Sequence, residues 1–346
     1  MSLAALDAFP TVDFGAEPTP LEPLDRLTVA NAGARLWAKR DDMQGLALGG
    51  NKVRQLAFYF GAAKAEGADT VLITGAVQSN YCRLAAAYAA KLGMECHIQQ
   101  EERVPKSDPL YKESGNVLLE RLLGATLHSF PAGEDEEGAD NKLEEIAADL
   151  RAVGKSPYVI HLAPGHPPLG ALGYVACARE LLGQIDAIKV RVDHIAVPSG
   201  SGATHAGFLF GMRALGSPIP ITGYCVRRDQ GLQAPRLKVR CEEIADLLDI
   251  ANPVSDRDIV VNDRFLLPGY GRLNLPTDRA IRLAAQTEAL LLDPVYSGKC
   301  MAGALNIAGN LPPEANVLFL HTGGTPAIFA YANDLTEMLF PLPSPG

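Results

Sequence analysis

The stretch Gly49-Gly50-Asn51-Lys52-Val53-Arg54 places a lysine directly after two glycines, where a helix is predicted to begin. A lysine at a loop-to-helix junction is exposed to ligands and, when partly removed from water, can lose its proton and attack a carbonyl group. An ordinary surface lysine at a helix start would show the same pattern, so Lys52 becomes a candidate nucleophile only in combination with other features. One face of the helix is expected to be buried, because apolar residues follow at helical spacing: Val53, Leu56, Ala57 and Phe60.

Three β-type runs each end in a turn rich in glycine or hydroxyl side chains. They are residues 71–74 before 75–81, 195–197 before 199–204, and 317–320 before 321–325. Along the chain, β-type runs alternate with helical segments, which is typical of a parallel α/β sheet. Because ligands bind outside the carboxyl ends of strands in such sheets, the three turns are predicted to meet at one site.

Length and composition indicate an enzyme-sized globular protein. The 346 residues are enough for two domains with buried cores, and no run reaches the roughly 18 apolar residues of a membrane span. The net charge of −9 disfavours a nucleic-acid partner, and the lack of C-x-x-C spacing among the six cysteines disfavours a zinc site. No signal peptide follows Met1, so we expect a cytoplasmic protein with reduced cysteines.

Local patterns in three further segments predict structure. Residues 79–92 are predicted to form an amphipathic helix that ends at Gly93. The acidic residues 133–140 are predicted to form a solvated helix start, since carboxylates are favoured at helix N-termini. Residues 1–17 are expected to be an irregular lead-in.

Seven ordered motifs lie along the chain: Pro18-Thr19-Pro20-Leu21, Trp37-Ala38-Lys39-Arg40-Asp41-Asp42, Gly49-Gly50-Asn51-Lys52, Gln78-Ser79-Asn80, Gly202-Ala203-Thr204-His205-Ala206-Gly207, Asp293-Pro294-Val295-Tyr296 and His321-Thr322-Gly323-Gly324. Together they resemble the fold-type II pyridoxal-phosphate enzymes, in the group containing D-cysteine desulfhydrase and 1-aminocyclopropane-1-carboxylate (ACC) deaminase. This family resemblance covers residues 15–335 and implies two three-layer αβα domains of the tryptophan synthase β type, with the cofactor in the cleft between them. We expect a small domain at 56–164 and a large domain at 15–55 plus 165–340. A homodimer is implied by the resemblance alone.

The resemblance implies a set of cofactor contacts. Lys52 would carry pyridoxal 5′-phosphate, and Asn80 would hydrogen-bond the pyridoxal 3′-oxygen. The turn Ser201-Gly202-Ala203-Thr204 looks like the phosphate cup, since backbone amides and a hydroxyl at a helix start suit a dianion. Thr322 would face the pyridine nitrogen or the adjoining substrate pocket. A dinucleotide site would also show such a glycine turn, but this one comes late in the chain and no acidic ribose partner is obvious.

The resemblance also implies catalytic and substrate contacts. Lys52 would remove the α-proton of the bound amino acid, with Ser79 or a tyrosine as a relay. Tyr270 and Tyr296 match active-site tyrosines of the family, and either phenol could protonate or orient the leaving group. No metal ion is expected. The substrate-binding set is Ser79, Asn80, Tyr81, Ser297 and Thr322.

Three positions bear on the choice between branches of the family. The deaminase branch has glutamate and leucine where this chain has Ser297 and Thr322, so both residues favour the desulfhydrase branch. The neutral Thr322 hydroxyl cannot keep the pyridine nitrogen protonated as a carboxylate would, which favours β-elimination. Desulfhydrases usually have histidine where this chain has Tyr81, which leaves the leaving group and the stereochemistry open.

Three functions are compatible with these features. The first is α,β-elimination from a small amino acid, with D-cysteine giving pyruvate, hydrogen sulfide and ammonia. The second is a related activity on the same scaffold, either cysteate sulfo-lyase or ACC deaminase. The third is a protein that binds pyridoxal phosphate without catalysis. Arg54 and Arg83 could attract an anionic substrate or lie on a helix surface, and structural roles are expected for His205 and His321.

Overall fold

The computed structural model describes residues 3–15, 18–163 and 165–339. Its strands are β1 (Leu21–Pro23), β2 (Arg35–Arg40), β3 (Thr70–Ala76), β4 (Glu95–Glu101), β5 (Thr126–Phe130), β6 (Pro157–Ile160), β7 (His194–Ser199), β8 (Ile221–Cys225), β9 (Val260–Asn262) and β10 (Asn316–His321). Its α-helices are α1 (Asp25–Asn31), α2 (Lys52–Ala65), α3 (Asn80–Leu92), α4 (Pro109–Glu113), α5 (Gly115–Leu122), α6 (Glu136–Ala152), α7 (Leu169–Ala187), α8 (Ala203–Ala214), α9 (Gln230–Leu248), α10 (Leu275–Glu288), α11 (Ser297–Ala308), α12 (Thr325–Ala330) and α13 (Ala332–Leu339).

The strands form two separate sheets. A six-stranded sheet has the order β1-β2-β10-β7-β8-β9, in which only the β1–β2 pair is antiparallel. A four-stranded parallel sheet has the order β5-β4-β3-β6. The three runs that the sequence predicted to be strands are β3, β7 and β10, which confirms those predictions.

Both sheets are covered by helices on two faces because apolar residues point alternately to opposite sides of each strand. In β10, Val317 and Phe319 belong to one core cluster, whereas Leu318 and Leu320 belong to another. The first cluster includes residues of α10 and α11, and the second includes residues of α7 and α8. Strand β3 alternates in the same way between two clusters. The architecture is therefore a pair of αβα sandwiches, as the fold prediction stated.

Helix α2 connects the two sheets. It contacts α3, which packs on the four-stranded sheet, and also α7, which packs on the six-stranded sheet. Lys52 is the first residue of α2, so it lies between the two sheets. The predicted boundary at residue 56 falls inside this helix, and the division into 56–164 and the remainder stays a prediction. No helix in the described parts of the chain is long and apolar enough to cross a membrane.

Two local predictions need correction. The described part of the lead-in is not wholly irregular, because residues Ala4–Ala8 form a short 3-10 turn whose Leu6 is buried, together with Leu3, against α2 and α7. The acidic segment does begin a helix, α6, but Glu136 is not solvated. Its carboxylate accepts hydrogen bonds from three arginines that lie roughly a hundred residues downstream, a long-range pairing that local sequence does not reveal.

A buried ion-pair network holds the start of α2. Arg54 donates from Nε and Nη2 to the two Asp41 oxygens, each at 3.0 Å, and from Nη1 to Glu180 at 2.9 Å. Tyr174 donates to the same Asp41 carboxylate at 2.6 Å. Burial opposes ionisation of Asp41, but the Arg54 charge keeps the pKa of that carboxyl below its ordinary value. Arg54 therefore fixes α2 from the interior and is neither on the surface nor directed at a substrate.

Replacing Arg54 by methionine is expected to lower the free energy of unfolding by about 3 to 5 kcal/mol, because Asp41 would be left as an uncompensated buried charge. Urea unfolding of the purified protein measures this loss. The double variant Arg54→Met/Asp41→Asn is the control, and it should lose less because the unpaired charge is gone. A single-variant loss below about 1 kcal/mol, the range of exposed ion pairs, would contradict the prediction.

Candidate active site

An open cavity of about 820 Å³, which includes the solvent space at its mouth, lies between the two sheets. It is bordered by the start of α2 and by the turns that follow β3, β7 and β10, so the three predicted turns meet at one place. Of the residues predicted to form a site, Ala203 and Ser297 do not line it. Those that do are Lys52, Ser79, Asn80, Tyr81, Ser201, Gly202, Thr204, Tyr270, Tyr296 and Thr322.

The turn before Lys52 requires its glycines. Gly49 and Gly50 have φ angles of +61° and +113°, where side chains are disfavoured. A Cβ on Gly49 would approach the carbonyl oxygens of Asp42 and Gln44 to 2.3 Å. The buried Arg83 guanidinium donates to the Gly49 carbonyl at 2.9 Å, and so braces this turn from α3. Arg83 is thus neither a surface residue nor a lining residue of the cavity.

Lys52 is half-buried, and its amine donates to Gln55 Oε1 at 2.9 Å. Its Nζ lies 5.0 Å from the centre of the Tyr81 ring. Burial lowers the pKa of Lys52 to about 8 because the charged ammonium loses hydration. A substantial fraction of this amine is therefore neutral near physiological pH and able to act as a nucleophile or base.

The cup at the start of α8 suits a phosphate group. Gly202 has φ +101°, and the amide groups of the first turn of α8 have no intrahelical acceptor. The Thr204 hydroxyl accepts from Asn51 at 2.8 Å and from Gln55 at 2.7 Å, so its own proton is available to a ligand. Because no carboxylate is among the described residues that line the cavity, nothing there repels a dianion.

The turn after β3 presents Ser79 and Asn80. Ser79 caps α3, since its hydroxyl accepts from the backbone amides of Tyr81 and Cys82, each at 3.2 Å. Asn80 Oδ1 accepts from Asn116 at 3.0 Å, which fixes the side-chain amide in orientation. The capping bond uses the lone pairs of Ser79, so its hydroxyl proton remains free to bond a ligand.

Two tyrosine side chains, those of Tyr270 and Tyr296, form a further part of the cavity wall. The Tyr270 and Tyr296 hydroxyls are 2.5 Å apart. Burial raises the pKa of Tyr270, and burial together with the neighbouring Tyr270 raises the pKa of Tyr296 well above its ordinary value. Both phenols are therefore protonated at neutral pH, and the shared hydrogen bond leaves one proton for a ligand.

The position of Ser297 differs from its predicted substrate contact. Its hydroxyl donates to Asp293 Oδ1 at 2.6 Å and accepts from the Asp293 amide at 2.7 Å. Asp293 also accepts from the amides of Val295 and Tyr296, each at 2.8 Å. Ser297 is fully buried, and its hydroxyl stabilises the turn at Asp293 that orients the Tyr296 backbone. Ala203 lies in the cup turn but borders a smaller adjoining cavity, which Lys52 also lines.

The two histidines have different positions. His321 accepts from the Gly323 amide at 3.2 Å and does not line the cavity, in line with its expected structural role. His205 lines the cavity, and burial lowers its pKa to about 4, so its ring is neutral. Its Nδ1 lies 3.1 Å from Ser199 Oγ, and its buried Nε2 has no partner among the described residues.

Several residues with polar contacts at this site were not among the predicted ones. Gln55 lies one helical turn beyond Lys52, a spacing that could have suggested their contact. Arg103 and Arg227 line the cavity just beyond the carboxyl ends of β4 and β8, which are the neighbours of β3 and β7. Asn51 directly precedes Lys52, and its side-chain amide donates a hydrogen bond to the Thr204 hydroxyl of the cup.

Comparison with known proteins places this geometry in a family. The family described as pyridoxal-phosphate dependent enzyme matches residues 12–323. The chain is 38% identical to 1-aminocyclopropane-1-carboxylate deaminase of Burkholderia vietnamiensis over 94% of this chain and 98% of that protein. It is 39% identical to D-cysteine desulfhydrase of Klebsiella pneumoniae over 96% and 99% of the two chains. A crystal structure of an ACC deaminase homologue superposes with a TM-score of 0.86 at 32% identity, covering 97% of this chain and 98% of that one.

The residues present fit the cofactor of this family. The cup offers free amides and a hydroxyl to a phosphate, Lys52 offers a partly neutral amine to an aldehyde, and Asn80 offers an oriented amide. The relatives are named as a deaminase and a desulfhydrase, and the family is described as pyridoxal-phosphate dependent, so this chain is an enzyme whose cofactor is pyridoxal phosphate. The chain belongs to the pyridoxal-phosphate dependent enzymes, with the fold of type II.

Proposed function

We propose that this protein catalyses α,β-elimination from a small amino acid with a β leaving group, and that D-cysteine is converted to pyruvate, hydrogen sulfide and ammonia. The observation that carries the proposal is that Thr322 lies in a cavity lining without carboxylates among the described residues. No carboxylate is among the described lining residues, so none can keep the pyridine nitrogen protonated. A weaker electron sink favours rapid loss of a β substituent over transamination or racemisation.

The chain's own residues have complementary roles in this proposal. Ser79 and Asn80 bind the substrate carboxylate through their hydroxyl and amide. Lys52 accepts the α-proton, since its neutral amine is available near pH 8. The Tyr270–Tyr296 pair donates a proton to the leaving group. Bound pyridoxal phosphate supplies the electron withdrawal from the α carbon.

The first experiment is a visible absorption spectrum of the purified protein followed by titration with D-cysteine. A yellow protein that releases pyruvate and sulfide in equal amounts would support both cofactor use and the substrate. A yellow protein that leaves D-cysteine unchanged would overturn the substrate and direct attention to Tyr81. A colourless protein that takes up no pyridoxal phosphate would overturn the proposal.

ACC deaminase is the second candidate, because deaminases and desulfhydrases match this chain at 38% and 39% identity. Overall identity therefore does not separate the two activities. Incubation of the same protein with ACC distinguishes them, since ring opening would yield a four-carbon 2-oxo acid and ammonia without sulfide. Thr322 favours elimination over deamination, as does Ser297, although Ser297 would act through the Asp293 turn and not by direct contact.

The pH dependence of cofactor uptake tests the state of Lys52. Because burial lowers its pKa to about 8, the uptake rate of cofactor-free protein should rise from pH 6.5 and level off above pH 8. Below the pKa the amine is protonated and cannot attack, so the rate should fall about tenfold per pH unit. Stopped-flow absorbance at constant ionic strength measures the rate. A rate that keeps rising to about pH 10, as for an ordinary lysine, would contradict the lowered pKa.

We also propose a homodimer, a cytoplasmic location, and the two domains at 56–164 and at 15–55 plus 165–340. Light scattering coupled to gel filtration should give twice the 36.8 kDa mass of one chain. A mass equal to one chain would overturn the dimer.

A further inference from the structure

The cavity contains positive charge that the cofactor contacts do not use. Its cationic lining residues, within the described chain, are Lys52, Arg103 and Arg227, and its lining has no carboxylate. Lys52 is assigned to the cofactor, and the phosphate cup is built from amides and a hydroxyl. The two arginines therefore need a separate explanation.

Both arginines lie beside the phenol pair. Arg103 follows β4 of the smaller sheet, and Arg227 follows β8 of the larger sheet. The charges of both act on the Tyr270 phenol, and the Arg103 charge also acts on Tyr296. The arginines thus come from opposite sides of the cleft to the place where the leaving group is proposed to be.

Each arginine keeps an unused donor. Arg227 donates from Nη1 to Glu136 at 2.7 Å and from Nη2 to Glu134 at 2.9 Å, while its buried Nε has no partner among the described residues. Arg103 engages Glu101 through Nε and Nη2, and its Nη1 donates to no described residue. The Arg103 and Arg227 side chains are only 6% and 4% exposed, so these donors are withdrawn from bulk water.

The surrounding carboxylates do not balance the arginines. The single Glu136 carboxylate pairs with three arginines, Arg227, Arg228 and Arg236. The positive charge of Arg103 also attracts this carboxylate. Glu134, the other partner of Arg227, is 71% exposed and its attraction is weakened by solvent. A buried guanidinium without full pairing is costly, so an anion in the cavity would complete the cluster.

We infer that Arg103 and Arg227 bind an anionic β substituent, so that the preferred substrate is a small amino acid with an acid group on its β carbon. This inference rests on the proposed elimination and ranks substrates with an acidic β substituent above D-cysteine. With cysteate, the Cβ–S bond breaks and its electron pair leaves with sulfur as sulfite. The α-proton passes to Lys52, and water hydrolyses the remaining three-carbon enamine to pyruvate and ammonia. The two arginines bind the negative charge that the sulfonate group already carries in the bound substrate.

The test compares cysteate with β-chloroalanine, whose β substituent is neutral, on the holoenzyme in both enantiomeric forms. Arg103→Gln and Arg227→Gln are each expected to lower kcat/KM for cysteate about 100-fold, the scale of one lost charge-assisted contact. Their kcat/KM for β-chloroalanine should change less than about threefold, because its neutral β substituent gives the arginines no charge to bind. Arg228→Gln is the matched control, because Arg228 shares Glu136 but does not line the cavity, and it should change neither value.

A binding measurement on the wild-type holoenzyme avoids dependence on the folding of variants. Aspartate and asparagine have nearly the same shape but differ in charge, and neither has a good leaving group. Aspartate should perturb the visible band of the cofactor at a concentration at least about tenfold lower than asparagine.

Two results would overturn the inference in distinguishable ways. If cysteate and β-chloroalanine are eliminated equally well, and the arginine variants lower both alike, the anion site is wrong while the elimination stands. If the yellow holoenzyme releases no leaving group from cysteate, β-chloroalanine or D-cysteine, the proposed function fails and the inference fails with it.

Discussion

Replacing Lys52 by alanine is expected to abolish the visible absorption of the bound cofactor and to lower elimination by at least about 10³-fold. The side chain is the only lysine among the described residues that line the cavity, and burial lowers its pKa to about 8. Removal of the amine deletes both the covalent attachment point and the base. Absorption spectra of the dialysed protein and the rate of pyruvate formation measure the two losses.

Lys299 provides the matched control, because burial lowers its pKa to about 8 as well. Its amine donates to the carbonyls of Leu266 and Gly269, at 2.7 and 2.8 Å, and it does not line the cavity. Lys299→Met should therefore keep the visible band, even where the Gly269 loop shifts and activity falls. Retention of the band in Lys52→Ala, or its loss in Lys299→Met alone, would assign the cofactor to a different lysine.

The parts of the fold that were predictable from sequence are those with local causes. Strand β10 contains a continuous apolar run from Val317 to Leu320, and a short run of this kind predicts a strand that is buried on both faces, as the structure shows. Helix α3 begins after the Ser79 cap and ends at Gly93, which has φ +70°, so both ends of the predicted helix are confirmed within a residue. By contrast, the burial of Leu3 and Leu6 depends on the distant α2 and α7, which no local pattern specifies.

The same distinction applies to the site. The three turns could be expected to meet because parallel strands end at one edge of a sheet. Glu136 was predicted to be solvated because its neighbours are acidic, yet Arg227, Arg228 and Arg236 bind it from across the cleft. A pairing of residues so far apart in sequence arises from tertiary packing alone. The bond between Ser297 and Asp293 is short-range, but its geometry depends on a turn that the sequence did not define.

Replacing Tyr296 by phenylalanine is expected to lower the elimination rate by about 10²- to 10⁴-fold while the visible cofactor band is retained. The phenol makes no hydrogen bond to the cup among the described residues, and its hydroxyl lies 2.5 Å from that of Tyr270. Loss of the hydroxyl removes a proton donor for the leaving group without altering the lysine or the phosphate site. Steady-state kinetics with a substrate that needs protonation of its leaving group, such as D-cysteine, measure the effect.

The matched variant Tyr270→Phe identifies which phenol donates. The two hydroxyls share one hydrogen bond, so one phenol donates to the other and only the second keeps a proton for the leaving group. If Tyr296 is that second phenol, Tyr270→Phe should cause the smaller loss, because Tyr270 then only orients its neighbour. A larger loss in Tyr270→Phe would assign the proton donor to Tyr270. β-Chloroalanine supplies the internal check, since chloride leaves without a proton and its elimination should be nearly insensitive to Tyr296→Phe. An equal loss with D-cysteine and β-chloroalanine would show that Tyr296 acts in binding and not as the proton donor.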